Sequence, residues 1–346
     1  MERTYQLQSC VWEITLACCF SCKYCGSKGG KARENELTTE ECLQVVRQLK
    51  ELGCQRVSLI GGEVFMRQDW AEIIRSMKKN DIQVAIITNG YLFTENLIKQ
   101  LKELQIESIA VSLDGPEQIH DSYRQRGSFA RADQAISVLT ENGIPVSVIS
   151  TLQSLNVQHL ETFYEYLKTK GIRAWQMQAC SPMGNARSSG VDYRIDVEKV
   201  LHFVEKHMFK APFAMGVADN IGYYSNSEGY LRGNLSGYAV FLGCRAGITS
   251  IGIDSIGNVR GCESMYDERF IEGNLREKSL REIWENPDAF AYNRKFQMEC
   301  LTGACRTCQF GDLCAGGCRS YNYFTHGNLY EAIYCVRKNT VNMTDG

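Results

Sequence analysis

The chain has 346 residues, 44% of them hydrophobic and 23% charged, with 38 Lys+Arg against 40 Asp+Glu and a formal net charge of -2. No basic block suggests a nucleic-acid partner and no apolar run approaches a membrane span, so a cytoplasmic globular protein with neither partner is expected. Cysteine is the exception: 16 are present with no sign of an oxidising compartment to pair them, which points to metal or redox chemistry.

In chain order, the first half alternates short apolar runs with segments of helical spacing. Strands are expected over residues 10–17, 56–60, 83–88, 108–113, 145–150 and 173–178. The clearest helix follows Thr38, which forms a capping box with Glu41 and precedes Leu43, Val46, Leu49 and Leu52 on one face. Others are expected near 69–79, 94–104, 130–142 and 156–170. This alternation implies an α/β fold with right-handed crossovers, a partial (β/α)6 barrel, with an open doubly wound sheet as the alternative. Beyond residue 178 come a loop over 179–192, a helix near 194–209, and a stretch over 216–243 containing Tyr223, Tyr224, Tyr230 and Tyr238. From Cys244 onward periodicity is poor apart from a short helix near 279–285. The expected division is a barrel over 8–211, a linker or lid over 212–243, a loop-rich, cysteine-dense domain over 244–337 that needs metal to fold, and a polar tail over 338–346.

Cys18, Cys22 and Cys25 fall just after the first strand, where βα loops carry chemistry in parallel folds. Cys19 leaves the register open. Cys19–Cys22–Cys25 is the start of a bacterial ferredoxin run, but that run requires a further Cys and a Pro where Gly29-Gly30 stand. Cys18–Cys22–Cys25 has the spacing C-x3-C-x2-C with Tyr24 before the last cysteine. A zinc knot competes with both readings, weakened by the lack of a nearby fourth ligand.

In that second spacing the chain resembles the radical S-adenosylmethionine superfamily. The resemblance implies a [4Fe–4S] cluster on Cys18, Cys22 and Cys25, with one iron left open for S-adenosylmethionine and reductive cleavage to a 5′-deoxyadenosyl radical. It also implies that Gly61-Gly62-Glu63 holds the cofactor's ammonium, the glycines letting backbone carbonyls come close. Ser112 and Arg124 would bind its carboxylate with Asp114 nearby, and Asn89 and Tyr24 would complete the contacts. Read alone, these are ordinary strand-ending turns and a surface arginine.

Cys305, Cys308, Cys314 and Cys318 form C-x2-C-x5-C-x3-C, preceded by Cys244 and Cys262 and followed by Cys335. This order resembles the SPASM extension of the same superfamily, against a zinc-ribbon alternative whose spacing it matches poorly. The resemblance implies two auxiliary [4Fe–4S] clusters, three in all: one on Cys305, Cys308, Cys314 and Cys335, the other on Cys244, Cys262 and Cys318. The second set is a ligand short. Ser250 stands where some members carry the fourth cysteine, so the iron is open or another group such as Cys300 completes it.

Cys10 stands outside the ligand sets, Cys42 and Cys54, in or beside the first helix, read as packing thiols, and Cys180, after the sixth strand, is a candidate hydrogen-atom donor. Glu13 and Thr15 share one face of the first strand, Gln176 and Gln178 one face of the sixth, lining a cavity or forming a structural network. The function implied is crosslinking (thioether or carbon–carbon) or epimerisation of a ribosomally made precursor peptide. Its partners would be a separate leader-recognition protein, since the barrel starts near residue 8, and a flavodoxin or ferredoxin as electron donor. The alternatives are oxidation or epimerisation of a small molecule such as an aminocyclitol, formylglycine formation on a sulfatase, or an iron–sulfur electron carrier without radical chemistry.

Overall fold

A computed structural model of the chain describes residues 5–233 and 239–337, so Tyr238 and the expected tail over 338–346 lie outside the described residues. Ten strands form one sheet: β1 (Ser9–Glu13), β2 (Arg56–Ile60), β3 (Gln83–Thr88), β4 (Ser108–Ser112), β5 (Val146–Leu152), β6 (Ala174–Ala179), β7 (Ala214–Val217), β8 (Ser250–Ile253), β9 (Asn258–Arg260) and β10 (Gly273–Asn274). Their order is β10-β9-β8-β1-β2-β3-β4-β5-β6-β7, parallel from β8 through β7, with β9 and β10 added antiparallel.

The six strands expected from the sequence are β1 to β6, in order and parallel. Two more parallel strands flank them. β7 lies within the stretch read as a linker, and β8 comes from the cysteine-dense region and pairs directly with β1, Trp12 opposite Ile253. The C-terminal region therefore shares the barrel's sheet. β1 itself ends at Glu13 rather than Ala17, because residues 14–18 peel away as the loop that carries the first cysteines.

Helices cover the outer face: α1 (Thr39–Glu51), α2 (Trp70–Lys79), α3 (Glu95–Leu104), α4 (Glu117–Tyr123), α5 (Ser128–Glu141), α6 (Leu160–Leu167) and α7 (Val197–His207). The α1 capping box is formed in both directions by Thr38 and Glu41. Its buried stripe is Cys42, Val45, Val46 and Leu49, so the face is turned from the one expected and Leu43 and Leu52 are only half-buried. α2 and α3 bury Trp70, Ile73, Ile74 and Met77, and Leu97, Ile98, Leu101 and Leu104, at the spacing of one helical face. These meet the outward strand residues, among them Trp12, Leu59, Val84, Ile86 and Val148, all fully buried. Each such side chain contributes about 1.5–3 kcal/mol of burial.

The other face of the strands is different. Ser58, Ala85, Ser108, Ser147, Ala174 and Ala214 alternate with the buried residues and are small and half-buried. The same face carries Val11, Ile60, Ile87, Ile149, Gln176 and Gln178, also half-buried, so the barrel interior is lined by a mixture of small, apolar and polar side chains that are less enclosed than those of the outer face. The short helices α8 (Glu228–Gly233), α9 (Leu280–Glu285), α10 (Ala291–Arg294), α11 (Gly311–Cys314) and α12 (Arg319–His326) follow β7 or lie in the C-terminal region. Among the described residues, no helix is long and apolar enough to cross a membrane.

Candidate active site and cysteine arrays

The loop leaving β1 bears the first cysteines and lies on the turn after β2. Gly62 N–H donates to the Thr15 carbonyl at 2.8 Å and Glu63 N–H to the Ala17 carbonyl at 2.7 Å. A Cβ on Gly62 would sit 2.3 Å from the Ala17 oxygen and 2.4 Å from the Leu16 oxygen, and one on Gly61 would sit 2.6 Å from the Thr15 oxygen. The glycines are thus required by the cysteine loop packed on them, a cause nearer at hand than the close approach to a ligand expected from the sequence. Gly62→Ala should cost about 1–3 kcal/mol of stability, read as a lowered urea midpoint, because backbone must move to admit the methyl.

Within the loop, Cys18 Sγ accepts the Phe20 N–H at 3.4 Å and Cys25 Sγ the Gly29 N–H at 3.2 Å. Burial pushes the Cys22 thiol up to about 11 against the pull of Arg124, with Cys25 beside it. Cys19 is the neighbour that behaves differently. A hydrogen bond from Cys18 pulls its thiol down to about 6 despite burial, and the Asn89 amide donates to it at 3.4 Å. That amide reaches the Cys18 sulfur only at 3.9 Å.

A second loop locks the first in place. After β6, Asn185 donates its backbone N–H to the Cys25 carbonyl at 2.9 Å and its side-chain amide to the Cys22 carbonyl at 3.0 Å, and the Ser189 hydroxyl donates to the Lys23 carbonyl at 2.6 Å. Gly184 makes this approach possible: its φ is +56°, and a Cβ there would lie 2.2 Å from the Cys25 oxygen. Sequence reasoning placed 179–192 in a loop and missed this role, for which Met183-Gly184-Asn185 was the sole signal.

Glu63 is fully buried beneath the cysteines. Its carboxylate accepts the Thr88 hydroxyl at 2.8 Å and the Asn89 N–H at 2.8 Å, yet burial still pushes its pKa up to about 7. The folded chain holds this proton more tightly than the unfolded one, so as pH rises from the ordinary carboxyl range to about 7 Glu63 lowers stability. A bound ammonium would reverse that cost. S-adenosylmethionine affinity of the cluster-loaded protein should therefore rise as pH passes through about 7 and then level. Glu63→Gln should flatten the profile and weaken binding above it roughly tenfold, read by calorimetry.

At the end of β4, Asp114 is completely enclosed. It accepts from Arg124 Nε at 2.7 Å and Nη2 at 3.4 Å, from the Thr151 N–H at 2.9 Å and from the Tyr24 hydroxyl. Arg124 thus spends its Nε–H and one Nη2–H on Asp114, which leaves the second Nη2–H and both on Nη1, and its guanidinium lies 5.3 Å from the Tyr24 ring centre. Burial draws His120 down to about 4, so it is neutral and accepts the Asp114 N–H on Nδ1 at 3.2 Å. Ser112, half-buried on β4, keeps its hydroxyl uncommitted among the described residues.

Other candidates are distributed unevenly. Glu13 is ion-paired to Arg33 at 2.6 Å and belongs to a structural network with Ser255 and Tyr266. Thr15 accepts the Ala17 N–H at 3.0 Å. Gln176 and Gln178 are half-buried on the lumen face, Gln178 donating to Thr151 at 3.2 Å. Cys180 packs with Tyr123 beside Tyr24, and burial pushes its thiol up to about 12. Cys42 and Cys54 are buried packing thiols, as expected, and Cys10 on β1 is buried as well.

The C-terminal cysteines form two groups. Cys305, Cys308, Cys314 and Cys335 line one small apolar cavity of about 20 Å³, walled by Tyr223, Tyr224 and Phe310. Burial pushes Cys314 up to about 12, and the other three thiols add to the shift. This is an apolar chamber closed by four soft donors, which suits an iron–sulfur cluster. Cys244, Cys262 and Cys318 form the other group: burial raises Cys262 to about 12 with Cys244 next in effect, and Cys318 is raised by burial, then by Cys244 and Cys262. Ser250 spends its proton on the Arg245 carbonyl at 3.1 Å, and Cys300 lies instead beside Tyr330. Both groups sit over the strand ends: Tyr223, shortly after β7, accepts the Cys318 N–H at 3.1 Å, and Tyr321 of α12 faces Cys180 at the end of β6.

Comparison with known proteins agrees with this geometry. The Radical SAM superfamily matches residues 12–167, and the SPASM iron–sulfur cluster-binding domain matches 244–309. An AdoMet-dependent heme synthase of Methanosarcina barkeri is 30% identical over 94% of this chain and 95% of its own length. Mycofactocin maturase MftC of Mycolicibacterium smegmatis is 27% identical over 94% of this chain and 81% of its own. Among solved structures, Streptococcus suis SuiB bound to S-adenosylmethionine superposes with a TM-score of 0.76 at 16% identity, covering 96% of this chain and 78% of that one. With three thiols and a buried carboxylate gathered at the parallel strand ends and two further cysteine groups above them, the chain belongs to the radical S-adenosylmethionine enzymes that carry a SPASM iron–sulfur domain.

Proposed function

We propose that the chain modifies a ribosomally made precursor peptide, joining its residues by a thioether or carbon–carbon bond or inverting a stereocentre. In this reading Cys18, Cys22 and Cys25 hold the first of three [4Fe–4S] clusters. Gly61, Gly62, Glu63, Asn89, Ser112, Asp114, Arg124 and Tyr24 bind S-adenosylmethionine or shape its pocket. The auxiliary clusters rest on Cys305, Cys308, Cys314 and Cys335, and on Cys244, Cys262 and Cys318. When bound, the first cluster and its cofactor supply a 5′-deoxyadenosyl radical. The protein's own part is to orient the cofactor through Glu63 and Arg124, exclude water, and offer Cys180 as a hydrogen donor where the product is an epimer.

The observation that carries the reading is the lumen. Toward the first cysteine loop its wall carries Ile60, Ile87, Ser112, Ile149, Gln176 and Gln178, all only half-buried, which supports a substrate received at that end. Mycofactocin maturase, similar along most of both chains, supports a peptide. A flavodoxin or ferredoxin would supply electrons and a separate protein would recognise the leader. The heme synthase likeness favours a second reading, modification of a tetrapyrrole-sized molecule.

Anaerobically reconstituted, dithionite-reduced protein should release 5′-deoxyadenosine from S-adenosylmethionine; none from protein with its clusters intact would rule out the radical reading. Incubation with a short Cys- or aromatic-rich peptide encoded beside the gene should alter that peptide's mass or its residue chirality. Turnover of an iron porphyrin with the peptide untouched would decide for the second reading.

A further inference from the structure

The three thiols of Cys244, Cys262 and Cys318 leave one position of a four-iron cluster without a cysteine, and the sequence offers Ser250 or Cys300 for it. Neither is presented: Ser250 donates to the Arg245 carbonyl at 3.1 Å, and Cys300 stands beside Tyr330. A different side chain is. Tyr292, on α10, has a buried hydroxyl whose hydrogen has no acceptor among the described residues, while the Gly261 N–H lies against its oxygen. It packs with Cys244 and Cys262 against Ala246, Met265 and Phe270, with the Glu272 carboxylate also near, and an ordinary phenol carries its proton at neutral pH.

The placement is built. The Tyr292 ring packs edge-on against Phe270 at 5.7 Å, its carbonyl accepts the Tyr330 hydroxyl at 3.2 Å, and the next residue, Asn293, ties α10 to the Cys244 loop by donating to the Ala246 carbonyl at 2.8 Å. Gly261, immediately before Cys262, makes room for the hydroxyl: a Cβ there would fall 2.1 Å from the Tyr292 oxygen. A protonated phenol is a donor, and a buried donor without a partner implies an acceptor that belongs there.

We propose that the Tyr292 hydroxyl donates its hydrogen bond to the iron–sulfur cluster held by Cys244, Cys262 and Cys318. This rests on the ligand set assigned above. A hydrogen bond to a cluster sulfur or thiolate stabilises the reduced, more negative state and so raises the potential.

The test uses the full chain, reconstituted anaerobically, with iron and sulfide counts, electron paramagnetic resonance of the reduced protein and a redox titration. Cys262→Ala should lose one cluster's worth of iron and one spectral component. Tyr292→Phe should keep the wild-type iron but shift the g-values of that same component and move its midpoint to lower potential. Gly261→Ala, which displaces the hydroxyl without removing it, should shift the component in the same direction and covers the case in which Tyr292→Phe does not fold. A component unchanged in the folded variants overturns the proposal. Wild-type iron and spectrum in Cys262→Ala overturn the ligand set, and the proposal with it.

Discussion

Cys18→Ala, Cys22→Ala and Cys25→Ala should each lower 5′-deoxyadenosine release by more than about 10³-fold, equivalent to about 4 kcal/mol of barrier, whereas Cys19→Ala should stay within about tenfold of wild type. The structure brings all four thiols to one loop, so position alone does not separate them; their partners do. Backbone N–H groups of Phe20 and Gly29 point at the sulfurs of Cys18 and Cys25, the arrangement that offsets thiolate charge on iron. Cys19 is served instead by the Asn89 side chain, whose backbone N–H is tied to Glu63 at 2.8 Å. Its low thiol pKa reflects the hydrogen bond from Cys18, a donor that iron on Cys18 would remove. Product is read by chromatography after dithionite reduction, with circular dichroism confirming the fold. An inactive Cys19→Ala beside an active Cys18→Ala would move the cluster to the ferredoxin-like register.

The alternation of apolar runs and helical stripes made β1 to β6 legible, because each outward strand face is buried against a helix and leaves a period in the sequence. β7 and β8 left none. Ala214–Val217 and Ser250–Ile253 are four residues each, and one contains Gly216 and the other Gly252, so neither is long enough to show a period. What recruits them is pairing with β6 and β1, a long-range effect. Spacing drew attention to the cysteine groups, but their division into sets came from the family resemblance, since no interval assigns Cys318 to Cys244 and Cys262 rather than to its neighbour Cys314. The supports were not legible: Asn185, Gly184 and Tyr292 act through carbonyls or an orphan hydroxyl reached from distant loops, and no local pattern announces such contacts. Tyr223 and Tyr224, considered for a lid, are buried walls of the four-cysteine cavity, while Tyr230 is exposed.

Asp114→Asn should destabilise the protein by about 3–5 kcal/mol, the usual cost of breaking a buried ion pair from one side. The substitution keeps the shape but leaves the Arg124 guanidinium, only 9% exposed, without its counter-charge. It also weakens the acceptors for the Thr151 N–H and the Tyr24 hydroxyl, so β4, β5 and the cysteine loop lose a shared anchor. Burial alone would raise the Asp114 pKa; Arg124 more than offsets it and holds the carboxyl below its usual range. A depressed folded-state pKa contributes stability above the unfolded carboxyl value that is lost as pH falls through the folded one. The wild type should therefore lose stability on acidification below about 4, and Asp114→Asn should show that loss reduced. Urea midpoints across pH measure both effects. Arg124→Met would remove the opposing charge; if Asp114→Asn on that background costs as much as on the wild type, the pair is not what holds this corner together. Asp114 takes the Nε–H and one Nη2–H of Arg124 and so fixes the guanidinium plane, and in the proposed reading the remaining Nη hydrogens would meet a cofactor carboxylate only in the orientation Asp114 sets. S-adenosylmethionine affinity should accordingly fall with stability in Asp114→Asn, whereas Ser112→Ala, on the half-buried face of the same strand, should lower affinity and leave the urea midpoint within about 0.5 kcal/mol of wild type.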